Sequence, residues 1–112
     1  MGGKEREDRH LAVFEILFKD CVRRRWPRLN SNQIQVAWSR IVEHKSLPEI
    51  AQEMGRALST VRQKDAVMRH AIGFDDIERC ALAVFAELGR FVRPFVAGLD
   101  PEDPPLDSAR QG

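Results

Sequence analysis

A chain of 112 residues, 43% hydrophobic and 31% charged, has the size and composition of one water-soluble domain with a modest core. No apolar run approaches the ~20 residues of a membrane span, and the charged opening "MGGKEREDRH" lacks the apolar core of a secretion signal, so a cytoplasmic location without membrane contact is expected. The net charge of +1 is unevenly spread: residues 19–70 hold eleven Lys/Arg against five Asp/Glu, and residues 71–112 hold four against eight. A basic middle on a neutral protein fits a local polyanion-binding face, and it also fits charge scattered over solvated surfaces.

Cys21 and Cys80 both fall within apolar-periodic segments, as expected of reduced core thiols. There is no C-x-x-C, and His10, His44 and His70 lack ligand spacing, so no metal or other cofactor is expected. The histidines lie in separate segments, neither cysteine has an evident base, and no glycine-rich phosphate loop is present, so no enzyme is predicted.

Helical spacing runs through nearly the whole chain and period-2 alternation is absent, which predicts an all-α fold of about five helices. The first spans about Glu5 to Arg25, with Leu11, Phe14, Phe18 and Cys21 on one stripe flanked by Val13, Leu17 and Val22; Pro27 ends it. The second begins at Asn30, capped with Gln33 three residues on, carries Ile34, Ala37, Trp38, Ile41 and Val42, and closes on the basic pair His44-Lys45. The third opens with Ser46 and Glu49 as a capping box, with Pro48 in its first turn, buries Leu47, Ile50, Ala51 and Met54, and stops at Gly55. A fourth, Ser59–Ile72, follows the apolar series Leu58, Val61, Met68 and Ile72 to Gly73. The last starts at Asp75 or Asp76, and its seam of Ile77, Ala81, Val84, Leu88, Phe91 and Phe95 is widened by Cys80, Phe85 and Val92. Pro94 is expected to end or kink it. Residues 1–100 thus read as one domain, and the Pro- and Asp-rich residues 101–112 as a disordered tail.

The third and fourth segments, residues 46–73, have the parts of a helix-turn-helix: a short bracing helix, a glycine turn, and a basic helix long enough to cross a major groove. Burying Val61, Met68 and Ile72 leaves Ser59, Arg62, Gln63, Lys64, Arg69 and Ala66 near the open side. Ser59, Thr60, Arg62 and Gln63 are the candidates for base contacts, since Arg bonds guanine and Gln bonds adenine in pairs. Arg40, Lys45, Arg56, Lys64 and Arg69 are the candidates for phosphates.

From Leu29 to Gly73 the chain resembles the LuxR-type (GerE-like) DNA-binding domain, and it is similar also to the C-terminal helix-turn-helix region of sigma factors. The resemblance rests on Leu29-Asn30, Ser46, Glu49-Ile50-Ala51, Met54-Gly55, Thr60-Val61-Arg62 and Ala71-Ile72-Gly73, with twelve residues from Val61 to Gly73. It implies a central tri-helical unit and a bacterial transcriptional regulator acting on double-stranded DNA at the nucleoid. The family pairs through a helix after the recognition helix, which implies a homodimer joined by the seam Ile77, Ala81, Val84, Leu88, Phe91 and Phe95. Three positions depart from the family pattern. Ala57 replaces the usual Ser cap, Arg56 replaces an apolar turn residue, and Asp65 stands one turn after Val61 where the family often buries an apolar side chain. A carboxylate there must find a partner or repel phosphate.

Other features keep two readings. "RRRWPR", Arg23 to Arg28, is either a second phosphate clamp or a solvated helix end complementing the dipole. Trp26 and Trp38 read as packing residues, and His70 as a phosphate contact or an incidental helix-end residue. The seam of the last helix packs against the first helix, pairs two copies, or does both. A rival from another class is a non-enzymatic adaptor or antiactivator that keeps the helix-turn-helix as a scaffold and binds RNA polymerase, a sigma factor or another regulator through the 77–95 seam.

Overall fold

The computed structural model describes the backbone of residues 2–99 and the side chains of residues 9–93. Over that span five helices and no strand are found: α1 (Gly2–Arg25), α2 (Ser31–Ile41), α3 (Leu47–Met54), α4 (Leu58–Ile72) and α5 (Ile77–Leu99). The fold is all-α, with α2, α3 and α4 forming a central trio and the two long terminal helices packed together beside it.

Local chemistry sets most of the boundaries. Asn30 caps α2 by accepting the Gln33 N–H at 2.9 Å, while the Gln33 amide oxygen accepts the Asn30 N–H at 2.9 Å. At α3, the Ser46 hydroxyl accepts the Glu49 N–H at 3.3 Å and the Glu49 carboxylate accepts the Ser46 N–H at 2.8 Å. Each reciprocal pair satisfies two N–H groups that the helix itself leaves open. Gly55 then turns the chain at φ 66°, and Gly73 closes α4 at φ 116°, both in the left-handed region that glycine enters without a Cβ clash.

Some boundaries differ from those read in the sequence. The expected basic end of α2 lies outside the helix, which finishes at Ile41; His44 takes a left-handed φ of 57°, and the Lys45 N–H donates back to the Ser39 carbonyl at 3.0 Å. Asp76, one of the two starts read for α5, caps it by accepting the Glu78 N–H at 2.9 Å. α5 also continues through Pro94 to Leu99. Phe95's side chain and the tail 101–112 lie outside the described residues.

The core runs through all five helices. Phe18, Cys21 and Val22 of α1 meet Ile34, Val36, Ala37, Trp38 and Ile41 of α2, with Ile50 and Ala51 of α3, Val61, Met68 and Ile72 of α4, and Cys80, Val84 and Leu88 of α5. Trp38, 1% exposed, is its centre, with the Phe14 and Phe18 rings tilted against it at centroid distances of 5.7 and 5.3 Å. Edge-on aromatic contacts of this kind add about 0.5–1.5 kcal/mol beyond the area they bury. Both tryptophans are packing residues, as their positions suggested. The outer end of α1 is different: Leu11, Val13 and Ile16 are exposed.

Candidate nucleic-acid interface

α3 leads into α4 through only Gly55, Arg56 and Ala57, and the Arg56 N–H donates to the Ala51 carbonyl at 3.0 Å, which keeps the turn tight. Ala57 sits in the extended cap position of α4 and supplies no side-chain hydrogen bond. The first turn of α4 therefore begins without the Ser or Asp acceptor that capped helices use.

α4 is sharply two-sided. Val61, Asp65, Met68 and Ile72, at steps of 4, 3 and 4, are buried. Ser59, Arg62, Gln63, Ala66, Val67 and His70 are exposed, and Thr60 and Lys64 are half-buried. With 3.6 residues per turn, Ser59, Gln63, Ala66 and His70 form the stripe opposite the core, and Arg62 lies on its flank. Of the four candidate base contacts, Ser59, Arg62 and Gln63 thus stand on the open side, and Thr60 borders it. Among the described residues Arg56, Arg62 and Lys64 make no ion pair, so three cations near the turn and the stripe are uncommitted.

Asp65 explains why two other candidates differ. It is 2% exposed, and its two carboxylate oxygens take separate guanidinium groups: Arg40 Nη1 donates to Oδ1 at 3.0 Å and Arg69 Nε donates to Oδ2 at 2.9 Å. Arg69 also donates through Nη1 to the Asp75 carbonyl. Arg40 and Arg69 are therefore not free to reach phosphate; they hold α2, α4 and the entry to α5 in register. The Arg69 partner was visible as an i, i+4 spacing. The Arg40 partner comes from another helix and left no local signal.

Lys45 is also occupied. Its ammonium contacts Glu53 at 2.7 Å and Glu43 at 3.2 Å, and hydrogen bonds first to Glu53 and then to Glu43 raise its pKa. It remains at the surface, but two carboxylates offset its charge.

The arginines of "RRRWPR" separate in the same way. Arg23 and Arg24 meet Asp20 at 3.8 and 3.1 Å, Arg24 lies over the Phe91 ring at 5.7 Å, and Arg25 bonds Glu87 at 3.2 Å while stacking over Trp26 at 5.1 Å. Arg28 has no ion pair among the described residues.

The α5 seam packs inside one chain. Val84 and Leu88 are buried, and Ile77, Ala81 and Phe91 are half-buried against the common core. What α5 leaves outside is another stripe, led by Leu82 at 71% and Phe85 at 43% exposure. A seam read from sequence gives the width of an apolar arc but not which part the neighbouring helices cover, and here the arc exceeds what α1, α2 and α4 cover.

Both thiols are buried, and that burial raises their pKa values. Cys80 Sγ lies 3.5 Å from the Phe74 carbonyl and lines the α4–α5 turn. Among the described residues no cluster of three or more His, Cys, Asp or Glu is placed to hold a metal ion, and no helix is long and apolar enough to cross a membrane. Compared with known proteins, the chain matches no family model, no curated protein and no solved structure.

Proposed function

We propose that this protein is a sequence-specific DNA-binding transcriptional regulator that lays α4 in the major groove and acts as a homodimer. The observation that carries the reading is the two-sidedness of α4. Val61, Met68, Ile72 and its one carboxylate are buried, and its other side presents Ser59, Arg62, Gln63 and Ala66 with no acid paired to them, Val67 standing exposed at its border. A B-form major groove is about 12 Å wide and admits one helix, and Arg and Gln are side chains able to read base edges there in pairs. The α3–Gly55–α4 geometry and the LuxR-like spacing support the same reading.

Arg62 and Gln63 are assigned to bases, with Ser59 and Thr60 beside them. Phosphate contact falls to Arg56 and Lys64, with Lys45 weakened by its two glutamates. Arg40 and Arg69 act instead through Asp65, as positioning residues that set the angle of α4. Pairing is assigned to the outward stripe of α5, with Leu82 and Phe85 at its centre, because the buried seam is used within the monomer.

Fluorescence anisotropy with duplex DNA across a salt series tests the proposal. Affinity should fall steeply with salt, with a log–log slope of several units. Arg62→Ala should lose discrimination between sequences by about 1–3 kcal/mol, and Arg56→Ala should weaken all sequences alike. A chain that leaves duplexes unbound at ~50 mM salt refutes it. That outcome would favour the second reading, an adaptor or antiactivator docking on another regulator, a sigma factor or RNA polymerase, for which the exposure of Leu82 and Phe85 is the specific support.

A further inference from the structure

Between the α1–α2 turn and the last turn of α4 lies a cleft of about 270 Å³, lined by Arg25, Trp26, Pro27, Arg28, His70 and Ala71. We propose that it is a phosphate clamp that seats one backbone strand of the duplex beside the recognition helix, with Arg28 as its principal cation; this rests on the duplex-binding reading above.

Four observations point there. First, the lining holds two guanidinium groups and an imidazole but no carboxylate, so its charge complements an anion. Arg25 is shared with Glu87, while Arg28 is exposed and unpaired among the described residues, leaving its fork free for phosphate oxygens. Second, Trp26 forms one wall at 7% exposure, and the Arg25 guanidinium stacks over its ring at 5.1 Å, which holds that cation at the cleft. Third, at about 270 Å³ the cleft has room for a phosphate and part of its sugar. Fourth, His70 belongs both to the cleft lining and to the open stripe of α4, so a duplex lying along Ser59, Gln63 and Ala66 brings its backbone over the cleft.

The end of α4 opposes an anion through the helix dipole, equivalent to about half a charge. The Arg69 carbonyl at that end already accepts the Gly73 and Phe74 N–H groups at 2.9 and 3.1 Å, and the full charge of Arg28 stands opposite, with Arg25 shared with Glu87.

The test is a comparison of salt slopes for duplex binding by the full chain and two variants, with circular dichroism confirming equal helicity. Arg28→Ala should reduce the log–log slope by about one unit and weaken every sequence alike, leaving the ranking of sequences unchanged. Arg23→Ala, which removes an exposed α1 arginine outside the cleft, should leave the slope at the wild-type value. Steep wild-type binding with an unchanged Arg28→Ala slope, or equal losses in the two variants, overturns the clamp while leaving the groove reading in place. Absence of any salt-dependent duplex binding by the wild type overturns both.

Discussion

Asp65 is the residue on which the shape of the candidate interface turns. A carboxylate this deeply buried survives as a charge only with partners, and it has one guanidinium on each oxygen. The resulting trio ties α2 to α4, and Arg69 extends the tie to the Asp75 carbonyl at the entry to α5. Asp65→Ala strands two arginines that are themselves three-quarters buried, and should lower the unfolding free energy by about 3–5 kcal/mol in urea titrations. Arg40→Ala and Arg69→Ala should each cost less, because one partner remains, and the double variant should cost more than the two single losses together. Additive losses would mean that the three groups do not act as a unit. At the same scale, burial raises the pKa values of Cys21 and Cys80, so neither should react with iodoacetamide at pH 8 until the chain unfolds. Rapid labelling of the native protein would contradict the packing described for α1 and α5.

Among the elements, α3 and α4 are the most fully written in the sequence. Ser46, Glu49, Pro48 and Gly55 fix the start and stop of α3 by local hydrogen bonding and backbone preference, and all four act as their types require. Ser46→Ala should cost about 1 kcal/mol. The Glu49 carboxylate has its pKa lowered, first by the Ser46 backbone N–H and then by the Ser46 hydroxyl. A group shifted this way stabilises the fold above its unfolded pKa, and the contribution disappears as pH falls through the lower folded value. Stability should therefore decline with acid below an ordinary glutamate value near 4.5, and Glu49→Gln should flatten that part of the curve; identical curves would remove the capping-box carboxylate from the account. What local patterns did not carry were the facts that depend on a distant neighbour. The burial of Asp65 depends on Arg40 in α2, and the loss of Lys45 as a free cation depends on Glu53 in α3. Val36 is buried although it stands off the expected α2 stripe, because α2 is surrounded by α1, α4 and α5 as well as α3. The α5 seam was legible as an apolar arc, yet its partner, the interior of the same chain, was not.

For the whole molecule, both the charge and the apolar exposure are unevenly spread. Of the cations without an ion pair among the described residues, Arg28, Arg56, Arg62 and Lys64 belong to the α1–α2 turn, the α3–α4 turn and α4, and Arg93 to α5; exposed apolar side chains stand on α5 at Leu82 and Phe85, on α1 at Leu11, Val13 and Ile16, and on α4 at Val67. One surface thus suits a polyanion and another suits an apolar partner, as a paired groove reader requires. Sedimentation at micromolar concentration should give about twice the chain mass of 12.8 kDa, and Leu82→Glu should return it to the monomer value with helicity intact. A wild-type protein that sediments only as monomer would leave the α5 stripe for another protein.

The central claim is that the side of α4 away from the core meets the duplex, and amide chemical-shift mapping tests it most directly. Titrating ¹⁵N-labelled protein with duplex DNA at low salt should produce its largest shifts at Ser59, Thr60, Arg62, Gln63 and Ala66, with a second group at Arg28 and His70. Unmoved α4 amides at saturating duplex, or shifts confined to Leu82, Phe85 and their neighbours, would contradict it.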